Sequence, residues 1–72
     1  MNAVQCKMAR AALGLSAADL ANKASVGYAT VARFETGANI ADNTKGRIET
    51  ALRDAGASFE HRAGRVGVTV PA

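Results

Sequence analysis

The sequence predicts a mainly α-helical domain with four short helices and a C-terminal β-hairpin. Up to residue 56, apolar residues recur at spacings of three and four, which is typical of helices with one buried face. From residue 57 onward, apolar residues alternate with polar ones at a period of two, as in half-buried strands. The length of 72 residues fits one small domain. We therefore divide it into a helical part, 1–56, and a hairpin, 57–72.

The first two helices have recognisable ends. Helix one is predicted over residues 3–13, because Gly14 can adopt the left-handed conformation that closes a helix. The segment Ser16-Ala17-Ala18-Asp19 has the form of a capping box, in which the serine hydroxyl and the aspartate carboxylate bond to each other's backbone amides. Helix two is therefore predicted over residues 17–24.

The next two helices are separated by a short loop. Helix three is predicted over residues 28–36, with Gly27 at its N-cap. Helix four is predicted to begin with a cap at Asp42 or Asn43 and to end at Ala55.

Two helical residues carry separate expectations. Gly46 weakens helix four by about 1 kcal/mol relative to alanine, a cost that would make sense if another helix or DNA approached closely there. Cys6 lies at helical spacing from Leu13, so we interpret it as a small buried hydrophobic residue rather than a reactive thiol.

The tail reads as two strands, 57–62 and 65–70, joined by a turn with Gly64 in the left-handed conformation. An isolated hairpin is only marginally stable in water, so its apolar face needs a partner. We expect a homodimer, held largely by the hairpin, that covers this face and one open strand edge. Helix contacts between subunits, or a monomer whose hairpin folds back on helices one and four, are the alternatives. The side chains assigned to the dimer interface are Phe59, Val66, Val68 and Val70.

Helices two and three are joined so closely that they must cross at a steep angle, which predicts a helix-turn-helix over residues 16–36. The specific residues of this segment are Leu15 before Ser16, the pair Leu20-Ala21, Val26 in the turn, and Arg33-Phe34-Glu35 with Gly37 two residues later. With these residues, the chain resembles the phage repressor/Cro (XRE-type) helix-turn-helix family. The resemblance covers Cys6 to Gly37 and continues more weakly to Leu52.

The resemblance implies a repressor-like DNA-binding domain, in which Arg10 and Glu35 form a structural ion pair. Three features depart from the family. Gly27 and Ala17 stand where the family usually has a serine or threonine and often a glutamine, and a hairpin replaces a fifth helix. The departures at Gly27 and Ala17 each remove a side chain that could have bound the DNA backbone.

Helix three would present its exposed face to the major groove. Tyr28, Ala29 and Arg33 are the candidate base-contacting residues, and Arg33 alone can hold guanine O6 and N7 together. Short polar side chains, a lysine and backbone amides around this helix can bind phosphate. The candidate backbone contacts are Ser25, Gly27, Thr30, Thr36, Asn39, Thr44 and Lys45.

Composition narrows the function. The net charge of +3 suits a polyanionic partner, and one cysteine excludes an internal disulfide and a cysteine-based zinc cage. No catalytic constellation is present, so we expect neither an enzyme, a cofactor nor a metal site. The lack of a signal-peptide core or of a membrane-spanning stretch predicts a cytoplasmic location without membrane association.

The expected function is sequence-specific binding of double-stranded DNA by a dimeric transcriptional regulator that reads a palindromic operator through helix 28–36. The alternative is an antitoxin or adaptor that binds a second protein, with DNA binding secondary or absent. The small number of hydrogen-bonding groups on helix three and the valine-rich hairpin leave this alternative open.

Overall fold

A computed structural model describes residues 1–72 and has the predicted mainly α-helical class, with four helices followed by one antiparallel hairpin. No helix is long and apolar enough to cross a membrane. The elements in chain order are α1 (Ala3–Ala12), α2 (Ala17–Ala24), α3 (Tyr28–Glu35), α4 (Asp42–Asp54), β1 (Ser58–Arg62) and β2 (Arg65–Thr69).

The predicted boundaries need small corrections. Helices one, three and four each end one residue earlier than predicted, because Leu13, Thr36 and Ala55 serve as C-caps. The expected cap of helix four at Asp42 or Asn43 is wrong. The N-cap is Ala41, which has no side chain that can cap, and Asp42 is the first helical residue. Both strands are one residue shorter than predicted, at the end remote from the turn.

The core contains few large side chains. Ten hydrophobic residues are buried, and the bulkiest fully buried ones are Leu20, Ile48, Leu52 and Val31. Alanines fill much of the remainder, so the helices approach one another closely. The full set is Cys6, Ala9, Leu20, Ala21, Ala24, Val31, Phe34, Ile48, Leu52 and Ala57.

Gln5 ties α1 to the hairpin. Its side chain is buried, and its amide nitrogen donates hydrogen bonds to the carbonyl oxygens of Glu60 at 2.9 Å and Gly67 at 3.2 Å. Glu60 and Gly67 are register partners on the two strands, so one amide group bonds both strands at once. The amide oxygen accepts from the backbone amide of Asn2 as half of a capping box, which satisfies the buried group completely.

The apolar face of the hairpin packs on the same chain. β2 contacts α1, and Phe59, Val68 and Val70 are half-buried against the core, whereas Val66 is half-buried without packing on the core. The chain therefore already covers part of three of the four side chains that we assigned to a dimer interface. This is the arrangement that the monomer alternative describes for the hairpin, and the dimer itself stays a prediction.

The start of the hairpin is held by charges and by close backbone packing. Glu49 accepts from the Arg53 guanidinium at 3.0 Å and from the N-terminal ammonium at 3.3 Å, and the same guanidinium lies 5.1 Å from the Phe59 ring centroid. Gly56 has φ +113°, and a Cβ there would lie 2.9 Å from the Pro71 ring. Only glycine therefore fits both the backbone and the space at this corner.

The hairpin turn carries a strained alanine. Its two residues, Ala63 and Gly64, have φ of 51° and 74°, so both occupy the left-handed region. The sequence predicts this conformation for Gly64 only. A two-residue hairpin loop with positive φ at both positions is a type I′ turn, for which Asn-Gly is preferred because a left-handed L-residue other than asparagine or glycine is disfavoured.

Replacing this alanine should therefore stabilise the protein. We expect Ala63→Asn to raise the free energy of unfolding by about 1 kcal/mol, measured by urea denaturation. Ala63→Val is the matched control at the same position and should lower it, because a β-branched residue is least tolerant of positive φ. An asparagine variant no more stable than the parent would show that the turn adopts another conformation.

Candidate nucleic-acid interface

The connection between α2 and α3 spans only Ser25, Val26 and Gly27. Ser25 ends α2 in the left-handed conformation, with φ 56°. The amide of Val26 then donates to the Ala21 carbonyl at 3.0 Å, which turns the chain sharply away from the α2 axis. This turn seats α3 against α2 and α1, with Val31 and Phe34 buried.

The opposite face of α3 is open to solvent. Tyr28 is 60% exposed, and Ala29 and Arg33 are also exposed. The guanidinium of Arg33 takes part in no salt bridge. All three residues assigned to base contact therefore lie on one exposed helix surface, and Arg33 is free to bind a ligand.

The residues assigned to contact with the DNA backbone surround α3, but they differ in exposure and in the contacts that they already make within the chain. Ser25, Gly27 and Asn39 are exposed, and Thr30 is half-buried. The Thr36 hydroxyl donates to the Arg33 carbonyl at 2.7 Å. In the first turn of α4, the Thr44 hydroxyl lies 3.5 Å from Asn43 Oδ1, and the Lys45 ammonium lies 5.9 Å from the Phe34 ring centroid.

The four helices differ in how their first amides are satisfied. α1 and α2 both have capping boxes, at Asn2 with Gln5 and at Ser16 with Asp19. The N-caps of α3 and α4 are Gly27 and Ala41, and neither helix has a side-chain cap. Their first backbone N–H groups are thus left for water or for an anion, and the helix dipole favours an anion there. The acidic side chain of Asp42 in the first turn of α4 opposes this effect locally.

An ion pair fixes the C-terminal end of α3 against α1. The Arg10 guanidinium donates to both carboxylate oxygens of Glu35, each at 3.0 Å, and donates a third hydrogen bond to the Leu15 carbonyl at 3.1 Å. These bonds join the last turn of α1, the loop after it and the last turn of α3. The side chain of Glu35 is only 7% exposed and that of Arg10 is 25% exposed, so Arg10 remains partly in water.

Burial and hydrogen bonding oppose each other at Glu35. Desolvation alone would raise its pKa, but the hydrogen bonds from Arg10 and from the Cys6 thiol, together with the Arg10 charge, outweigh it and hold the pKa below its ordinary value. A carboxylate whose pKa falls on folding stabilises the protein above its unfolded-state pKa. That contribution is lost as the pH falls through the folded-state pKa.

Cys6 belongs to the same network. It is completely buried, and its Sγ donates to a Glu35 oxygen at 3.2 Å. Burial, then the hydrogen bond and the charge of Glu35, raise the pKa of the thiol to about 12. The thiolate is therefore negligible near neutral pH, and the thiol acts as a small buried donor.

Three features of the site are missed by sequence reasoning. They are the thiol donor at Cys6, the third Arg10 bond to Leu15, and the Gln5 contacts that place α1. Asn2 followed three residues later by Gln5 fits a capping box, which signals the start of α1 but not the contacts of Gln5 with the hairpin. No group of three or more His, Cys, Asp or Glu side chains lies close enough together to hold a metal ion.

Comparison with known proteins adds no assignment. No model of a protein family matches the chain, and no curated protein matches it.

The ion pair can be tested with a double-mutant cycle. We expect Arg10→Met to destabilise the fold by about 3–5 kcal/mol, because it leaves a buried carboxylate without its main partner. Glu35→Leu should cost less, since Arg10 keeps access to water. The double variant should recover much of the loss in urea denaturation. Strictly additive losses would mean that the two side chains do not interact.

Proposed function

We propose that this chain is a repressor-like helix-turn-helix protein that binds double-stranded DNA sequence-specifically and regulates transcription. The observation that carries the proposal is the exposed outer face of α3, on which Arg33 has no ion-pair partner. The buried residues on the opposite side of α3 hold the helix firmly against α1 and α2. A rigid helix with an open, unpaired arginine suits insertion into the major groove.

The surroundings of α3 support contact with phosphates. Glu35, the acidic residue of α3, is neutralised by Arg10, so α3 presents no free carboxylate to DNA. Lys45, whose ammonium lies 5.9 Å from the Phe34 ring centroid of α3, offers a cation, and the uncapped starts of α3 and α4 offer backbone amides. Phosphate contacts of this kind would orient the protein, while base contacts would select the sequence.

The proposal includes a second copy of the chain. α3 has only eight residues, and only one of its exposed side chains is suited to a bidentate base contact. A specific protein–DNA interface commonly buries 1,000 Å² or more of protein surface, on the order of what two such helices would supply. Two copies of α3 about 34 Å apart would read successive major grooves of a palindromic site.

DNA binding can be tested without a known operator. Fluorescence anisotropy with a pool of random duplexes at two salt concentrations should detect binding that weakens as salt rises, because phosphate contacts release counterions. Selection from the same pool then provides a preferred site. A duplex with two inverted copies of that site should bind more tightly than a duplex with one. Absence of binding to any duplex at low salt would overturn the proposal.

Single substitutions separate base contact from phosphate contact. Arg33→Ala should cost about 1–3 kcal/mol of binding to the selected site and relax the preference at one base pair. Lys45→Gln should weaken specific and random DNA alike and reduce the salt slope by about one unit. Arg62→Ala, which removes the same charge from the hairpin, is the matched control. Equal losses on specific and random DNA for Arg33→Ala would make Arg33 a phosphate contact.

A groove favours the second candidate function, an adaptor or antitoxin that binds another protein. The groove lies between α2 and α4, has a volume of about 450 Å³, and is open to solvent. Gly46 lies along it, and no atom of another helix or strand comes within 4 Å of where its Cβ would be. The close approach that we expected at Gly46 is thus not made by another helix of this chain. A protein that fails to bind DNA but retains this groove would fit the adaptor function.

A further inference from the structure

We infer that α3 reads a guanine and, within about two base pairs of it, a base that carries a 5-methyl group, that is, thymine or 5-methylcytosine. This inference rests on the proposed function and specifies its ligand. It assigns hydrogen-bonding recognition to Arg33 and methyl recognition to Ala29. The binding surface would then respond directly to cytosine methylation of the DNA.

The first support is the placement of two exposed residues on α3. Ala29 and Arg33 are four residues apart, so they lie on the same face of the helix. At a rise of 1.5 Å per residue, they are separated by about 6 Å along the axis. Base pairs repeat about every 3.4 Å, so this spacing corresponds to about two base pairs, and the two side chains reach base pairs that lie close together.

The second support is the chemistry that this face offers. Arg33 has a free guanidinium, which can bind O6 and N7 of one guanine with two hydrogen bonds. Ala29 has a methyl group and no polar side-chain atom. In the major groove, the base-edge feature that an apolar side chain can recognise is the C5-methyl of thymine. A methyl at C5 of cytosine occupies the equivalent position on the ring.

The third support is that the neighbouring polar side chains offer few competing hydrogen bonds to the bases near the guanine. The Thr36 hydroxyl already donates its proton to the Arg33 carbonyl at 2.7 Å, and Thr30 is half-buried. Tyr28 is the remaining exposed polar side chain on the helix, and its aromatic ring can also lie against a methyl group. Sequence preference within about two base pairs of the guanine therefore depends mainly on apolar contact.

The test changes only the methyl group. In the selected site, each thymine within about two base pairs of the contacted guanine is replaced by deoxyuridine, and in a second series by cytosine or 5-methylcytosine. Because burial of one methylene-sized group contributes about 0.8 kcal/mol, loss of the methyl should raise Kd about fourfold. The 5-methylcytosine duplex should bind about fourfold more tightly than the matching cytosine duplex. Anisotropy titrations at one fixed salt concentration measure both ratios.

Variants of the protein test the role of Ala29. Ala29→Gly should bring both ratios close to one, because it removes the methyl group that packs on the base. Ala11→Gly on the exposed side of α1 is the matched control for the helix-weakening effect of glycine and should keep both ratios. Circular dichroism checks that both variants are folded.

The experiments distinguish a failure of the proposed function from a failure of this inference. A protein that binds no duplex at all overturns the proposed function. A protein that binds its selected site equally well with and without the methyl groups overturns this inference alone. Ratios that remain about fourfold in Ala29→Gly overturn the assignment of methyl recognition to Ala29.

Discussion

The bidentate ion pair between Arg10 and Glu35 fixes the position of α3, and the candidate interface depends on that position. Glu35 is the last residue of α3, and Arg10 comes from the last turn of α1 and also bonds the loop that leads into α2. This ion pair therefore joins α1 directly to α3, and Arg10 also holds the loop before α2 through the Leu15 carbonyl. Burial of that carboxylate is costly, and the two Arg10 nitrogens and the Cys6 thiol that donate to it offset the cost.

A second polar residue, Gln5, positions the hairpin as Arg10 positions α3. The core is small and rich in alanine, so apolar contact alone gives little directional control over how the hairpin sits. Gln5 bonds a carbonyl on each strand, and a shift of the strands would leave a buried amide unsatisfied. Since Gln5 and Arg10 both project from α1, this helix organises both ends of the molecule.

Much of the fold could be predicted from local signals, because helix periodicity and capping are encoded within a few residues. The Ser16–Asp19 capping box and the left-handed Gly64 are examples, and both are present in the structure. The contact between Arg10 and Glu35, which are 25 residues apart, was expected only from the resemblance to a family. The positive φ of Ala63 could not be predicted from residue type, because the strand register imposes it against the preference of alanine.

The hairpin shows why long-range packing could not be predicted from the sequence. Its alternating valines indicate that one face is covered, but the same pattern fits a second subunit or the chain's own helices. The amide of Gln5 and the contact of β2 with α1 decide this for the isolated chain. Val4 and Met8, 55% and 37% exposed, are the large apolar side chains that α1 leaves in solvent.

The most direct test is an NMR titration of the ¹⁵N-labelled protein with its selected duplex. We expect the largest amide shift changes in the turn before α3, along the exposed face of α3 and in the first turn of α4. The buried amides around Glu35 and the hairpin near Gln5 should change little. Changes concentrated in the groove between α2 and α4 or in the hairpin, with α3 unaffected, would contradict DNA recognition through α3.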